Sequence, residues 1–268
     1  MILEEDLEVA PDFFHYFAQT RPLLESDPTL YCISAWNDLG YLHTARDPSL
    51  LLRLDTMPGL GWMLKRDLFV NELRAKWPKP DQFWDWDMWM RMNEQRKGRE
   101  CIVPDISRTF HFGAHGVNMN DYFQDLYFNK HLLSTVPFAK LDTEVMVAAR
   151  YDEHLHELLA ASIPIDTAKT DVCNYGSAIP QGQSKHHVIY MRQLQPQDYD
   201  TWSTLATCFK IWDLDARGFH KGCAACAHYA GLGWAGLGWA GLGWAGLGFA
   251  DGMICPAGCG GFGSMKLQ

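Results

Sequence analysis

Across 268 residues the chain lacks any uninterrupted apolar stretch of the roughly 18 to 20 residues that a membrane helix requires. No charged-then-apolar leader opens it, so a soluble polypeptide is expected. A positive excess is missing too: 23 Lys and Arg stand against 32 Asp and Glu, a formal net charge of −9. That balance gives no general basic surface, and no nucleic-acid-binding motif compensates, which excludes DNA and RNA as expected partners. There is no P-loop and no G-x-S-x-G elbow. His154 and His156 precede Glu157, but position 160 is Ala, so the H-E-x-x-H zinc motif is absent as well.

The residues that are present support a folded chain, since a hydrophobic content of 47% is enough for one large domain or two small ones. Met1-Ile2-Leu3 reads as the last part of a strand, followed at once by Glu4-Glu5-Asp6. Such a strand without room for its partners suggests a chain that continues upstream. Residues 11 to 26 carry Phe13, Phe14, Phe17, Leu23 and Leu24 at helical intervals. Further helices are expected over 65–76, 84–96, from about 121, over 143–161 and over 199–208. Strands are expected at 31–36, 101–103, 108–111 and 187–191. The pattern is mixed α/β to about residue 222, with a division near 140 into a larger unit (1–140) and a smaller one (141–222).

Beyond Gly222, near-copies of Ala-Gly-Leu-Gly-Trp follow one another, and a period of five matches no solenoid repeat. Glycine at alternate positions prevents a stable helix and weakens a strand. Residues 223–268 are therefore read as an unstructured tail or a gene-model artefact. Cys223, Cys226, Cys255 and Cys259 mimic a zinc site around this tract, but it is too repetitive to carry that reading. Cys32, Cys101, Cys173 and Cys208 are widely spaced, which suits either disulfides or buried thiols.

Two acidic clusters carry the candidate chemistry. Glu4, Glu5 and Asp6 place hard oxygen ligands where a strand stops, which is where ligands bind in open α/β sheets, and such ligands suit Mg²⁺ or Mn²⁺. Trp84-Asp85-Trp86-Asp87 sets carboxylates between aromatic rings at a helix start. A solvated strand end and a helix first turn favoured by the dipole explain each cluster taken singly. Together they offer a metal clamp for a diphosphate leaving group and a base for an attacking hydroxyl, with aromatic faces suited to sugar rings.

Leu3-Glu4-Glu5-Asp6-Leu7, Cys32-Ile33-Ser34-Ala35-Trp36-Asn37-Asp38, Met57-Pro58-Gly59-Leu60-Gly61-Trp62 and Trp84-Asp85-Trp86-Asp87-Met88-Trp89 closely resemble the β-1,2-N-acetylglucosaminyltransferases, over residues 1 to about 222. Trp84 to Trp89, and Gly40-Tyr41 with His43-Thr44-Ala45, look more like the O-linked-mannose branch than the N-glycan branch. The resemblance implies part of a GT-A fold, α/β with a mixed sheet and flanking helices. It also implies inverting transfer from UDP-GlcNAc to the 2-hydroxyl of O-linked mannose on a glycoprotein acceptor, with transfer to N-glycan mannose or an inactive glycan-binding fragment as alternatives. Asp6 would hold Mn²⁺ (or Mg²⁺), and Glu4 and Glu5 would face the donor sugar and ribose. Asp87 would be the catalytic base. Arg53, Trp86 and the loop Gly116-Val117-Asn118 would contact the donor, and Gly59, Leu60, Gly61 and Trp62 would line the acceptor pocket. Cys32 with Cys101, and Cys173 with Cys208, would be disulfides, fitting a Golgi lumen reached through an upstream membrane anchor.

Overall fold

The computed structural model describes residues 1–79, 85–114, 119–166, 169, 171, 173, 187–191, 199–221, 223–229 and 250–256. Its centre is a four-stranded mixed sheet in the order β3-β5-β2-β4. These strands are β2 (Leu30–Ser34), β3 (Leu51–Leu54), β4 (Trp62–Met63) and β5 (Glu100–Pro104). β2 runs parallel to β5, while β3 and β4 are antiparallel to their neighbours. Every residue of β2, β3 and β5 is buried, as expected for strands covered on both faces. The register shifts between Leu30 and Cys32, and this irregularity puts Tyr31 and Cys32 in the same apolar cluster. Cys32 lies directly opposite Cys101, and the two form a disulfide. Cys173 and Cys208 form another.

The helix Phe13–Ser26 covers one face through Phe13, Tyr16, Phe17, Thr20 and Leu24, a spacing that places them on one side of a 3.6-residue period. The Tyr16 hydroxyl donates to the Ser34 carbonyl at 2.6 Å, fixing the helix against β2. On the other face lie Met57, Trp62, Leu68, Leu73, Trp89 and Met90. The single helix expected over 84–96 is two, Trp86–Arg91 and Asn93–Arg96, because Met92 takes extended backbone (φ −63°, ψ 143°). Expected strand Met1–Leu3 is reduced to one bridge between Ile2 and Trp62. Regular pairing begins after the acidic triplet, where β1 (Leu7–Val9) runs antiparallel to β6 (Thr109–His111).

A five-stranded sheet in the order β7-β8-β11-β10-β9 adjoins this body. It contains β7 (Ile163–Ile165), β8 (His187–Met191), β9 (Phe219–His220), β10 (Cys223–Tyr229) and β11 (Ala250–Pro256). β10 and β11 fall within the stretch set apart from sequence as a tail, and the tract between them lies outside the described residues. Packing does not divide at residue 140. Ala139, Leu141, Met146 and Tyr151 share a core with Phe13 and Ile33, while Leu39 and Tyr41 share another with Trp202 and Phe219.

His131 sits in that second region, stacked at 4.1 Å on Trp36 and tilted at 4.1 Å against Tyr41. Burial lowers its pKa from 6.5 to about 4. The folded protein thus takes up this proton less readily than the unfolded chain. The corresponding stability is complete above about pH 6.5 and is lost as the pH falls toward 4, at roughly 1.4 kcal/mol per unit. Urea midpoints measured from pH 6.5 to 5 are expected to fall, and His131→Gln to remove this component of the slope; a His131 ring resonance titrating near 6.5 would contradict the assignment.

Candidate active site

The acidic triplet occupies the short turn between the Ile2 bridge and β1. Glu4 reaches back to the bend 57–62, its Oε2 accepting the Gly61 N–H at 3.2 Å. Gly61 has φ +76°, and a Cβ there would come within 2.8 Å of Thr109, so the bend requires glycine at this position. Burial raises the Glu4 pKa, opposed by backbone N–H donors including that of Gly61. Glu5 is exposed. Asp6 lies against β6, where its carbonyl accepts the Phe112 N–H at 3.0 Å and its Oδ2 stands 3.1 Å from His111 Nε2.

Gln124 orients that histidine. Its Nε2 donates to the His111 carbonyl at 2.7 Å and to Asn129 Oδ1 at 2.9 Å, which turns Oε1 toward His111 Nδ1 at 3.1 Å. The ring therefore donates from Nδ1 and presents Nε2 to Asp6. Gly113 closes the other side, since a Cβ on it would lie 2.6 Å from Asp6 Oδ2.

Asp87 projects from the first turn of Trp86–Arg91, whose N-cap Asp85 accepts the Met88 N–H at 3.3 Å. One turn later Arg91 clamps it, with Nη2 2.6 Å from Asp87 Oδ2 and Nε donating to the Met57 carbonyl at 3.0 Å. Gly59 lies beside this carboxylate: a Cβ built on it would sit in ordinary van der Waals contact, 3.7 Å from the Asp87 Cβ and 3.8 Å from the Trp86 ring. Trp86 stacks at 5.6 Å on Trp62 and at 6.2 Å on Trp77. A cavity of about 520 Å³ opens here, lined by Ile2, Trp62, Phe69, Trp77 and Trp86 among others.

The bend 57–62 is thus a wall common to both carboxylate groups. Glu4 meets it at Gly61, Asp87 at Gly59, and the Leu60 carbonyl between them accepts the Thr109 hydroxyl at 2.8 Å. Glu4, Gly59, Leu60, Gly61, Trp62, Trp86 and Asp87 come together, with Asp6 and Glu5 on the adjoining turn. Arg53 does not join them. It was expected to face the donor, but it is wholly buried, its guanidinium held by Glu100, Asp27, Thr29 and the Met146 carbonyl. A side chain on an all-buried strand has no route to the pocket. Gly116, Val117 and Asn118 lie outside the described residues.

Sequence reasoning missed several neighbours. His111 becomes visible only once β1 and β6 are paired, whereas the four-residue spacing from Asp87 to Arg91 was a legible signal. Arg217 was also missed. It lies 3.9 Å over the Trp212 ring and pairs with Asp215 at 2.8 Å and Asp38 at 3.5 Å. Burial and the charge of Arg217 both lower the Arg91 pKa, bringing the C-terminal segment into the electrostatics of the Asp87 helix.

A family model described as the GNT-I family matches residues 1–194. The chain belongs to the GNT-I family. It is 40% identical over 167 residues to an alpha-1,3-mannosyl-glycoprotein 2-beta-N-acetylglucosaminyltransferase of Arabidopsis thaliana, an alignment covering 62% of this chain and 36% of the relative. The GNT-I chain therefore spans little more than a third of that relative's length.

The donor atoms at the triplet fit a divalent cation. An oxygen of Asp6 and the Nε2 of His111 form the mixed set that Mn²⁺ accepts, and the 38% exposure of the Asp6 side chain leaves room for further ligands. Glu4, Glu5 and Asp6 themselves do not converge into a three-ligand cage among the described residues. Gly113→Ala is expected to push Asp6 off His111 while the fold persists, which a change in the His111 ring resonances checks. Unchanged resonances would contradict the contact between Asp6 and His111.

Proposed function

We propose that this chain carries the catalytic carboxylates of an inverting GT-A glycosyltransferase, which moves N-acetylglucosamine from UDP-GlcNAc to the 2-hydroxyl of a mannose on a glycoprotein. The observation that carries the reading is the shared wall: one bend donates to Glu4 at Gly61 and, through Arg91 on the Met57 carbonyl, is tied to Asp87 beside Gly59. Asp87 acts as general base. As the mannose 2-hydroxyl oxygen bonds to the anomeric carbon, the carboxylate takes its proton and the bond to UDP breaks, turning an α-linked donor into a β-linked product. Arg91 keeps Asp87 aimed across the bend. A bound Mn²⁺, or Mg²⁺, supplies neutralisation of charge on the departing diphosphate. Asp6 and His111 would hold it, and Glu4 and Glu5 border the donor sugar and ribose.

The named acceptor of the Arabidopsis relative favours an α-1,3-linked mannose of an N-glycan as substrate. O-linked mannose is the second reading, supported by the run Asp85-Trp86-Asp87-Met88-Trp89. A Golgi-lumen location and glycoprotein partners belong to the same proposal, and the Cys32–Cys101 and Cys173–Cys208 disulfides support an oxidising compartment. No helix among the described residues is long and apolar enough to cross a membrane.

Asp87→Asn is expected to lower turnover by about 10²- to 10⁴-fold with UDP-GlcNAc affinity retained, and undiminished turnover would remove the base assignment. Offering a mannose-terminated N-glycan and an O-mannosyl peptide in parallel decides the acceptor, with the N-glycan expected to be used faster. A folded sample showing no metal-dependent UDP binding would leave a glycan-binding fragment.

A further inference from the structure

A second group of cation ligands lies away from the triplet and shares no side chain with it. Asp55 directly follows β3, Glu100 opens β5 and His220 closes β9; one ligand atom from each lies within 4.8 Å of the other two. Glu100 and His220 are buried, and Asp55 is half-buried. Oxygen and nitrogen ligands around an ion at about 2.0–2.2 Å lie no more than roughly 4.4 Å apart, so a small side-chain rotation closes the set.

Proton placement supplies the decisive observation. His220 Nε2 lies 2.9 Å from Asp152 Oδ1, while the other Asp152 oxygen takes the Lys221 ammonium at 2.6 Å. A carboxylate engaged in this way accepts, so Nε2 carries the ring proton. The opposite nitrogen, Nδ1, is buried and makes no hydrogen bond. It faces Glu100 Oε1 at 3.3 Å, an atom that also has only lone pairs to offer. The second Glu100 oxygen is occupied by Arg53 Nε at 2.6 Å, and one Asp55 oxygen accepts the Lys221 N–H at 2.7 Å. With the ring neutral, three electron-pair donors face one point, and a histidine donating its other nitrogen to a carboxylate is the usual support for a metal ligand.

We propose that Asp55, Glu100 and His220 bind a divalent cation of the Mn²⁺ or Zn²⁺ class, a structural site separate from any ion held at Asp6. One imidazole with two carboxylates suits these ions better than Ca²⁺, which takes oxygen ligands alone. The ion joins the central sheet to β9, a junction already marked by the Asp55 N–H donating to the Phe219 carbonyl at 2.6 Å. Its role is to hold the C-terminal sheet onto the body that carries Asp87.

The test uses the full chain, stripped with chelator and titrated with MnCl₂ or ZnCl₂ without nucleotide. One ion is expected to bind at this site, retained in Asp6→Asn, and to raise the thermal midpoint. Mn²⁺ is expected to broaden the His220 ring resonances, and Asp55→Asn to weaken binding at least tenfold. Asp6→Asn should leave this binding intact, which separates it from the donor reading. Should Asp55→Asn fail to fold, broadening in the unmodified chain still decides. Absence of nucleotide-free binding, or a His220 ring protonated on both nitrogens at saturating metal, overturns the proposal.

Discussion

The buried guanidinium of Arg53 is the constraint around which the central sheet is arranged. A cation on an all-buried strand is tolerable only when paired and fully hydrogen-bonded. Arg53 meets that condition by drawing Glu100 from β5, Asp27 and Thr29 from the end of the first helix, and the Met146 carbonyl from the segment that closes the same core. Burial works against the Asp27 charge, but Thr29 and Arg53 outweigh it and lower its pKa. Three separate stretches thus converge on one side chain. Its removal would strand two carboxylates near the sheet as well as leave a void.

Arg108 repeats the device at the other end. Wholly buried, it pairs with Asp12 at 3.0 Å and donates to the Ile106 and Pro48 carbonyls. Its own N–H bonds the Ala35 carbonyl, and its carbonyl receives the Ala10 N–H, so the end of β1 away from the acidic triplet is tied to the end of β2. The two buried arginines stand beneath the site without lining it. They position the β1–β6 pair that presents Asp6 and His111, and the sheet edge that receives the 57–62 bend.

Much of this was readable in the residues. The apolar spacing of Phe13, Phe17 and Leu24 marks a helix, and His187–Met191 marks a strand at its observed limits. Gly59 and Gly61 announce a close backbone approach, and the structure places it at Gly61, against Thr109, while Gly59 has room for a side chain. The failures have physical origins. Met1–Leu3 looked like a strand because local apolarity says nothing about partners, and one bridge to Trp62 is all that forms. Arg53 looked like a ligand contact because an arginine among leucines carries no mark of where its charge is met. Glu100, Asp27 and Met146 lie 47, 26 and 93 positions away. His111 and Arg217 depend on equally distant pairings, which periodicity cannot register.

The disulfide between Cys32 and Cys101 joins two neighbouring parallel strands at directly facing residues. From its far ends the chain runs on to Asn37 and Asp38 in one case and to Arg108 and His111 in the other. A covalent rivet at that point blocks sliding of one strand past the other even when outer strands fray. The alignment of these two strands is thereby uncoupled from the breathing of the periphery, and an edge can open to solvent without the central pair losing its register.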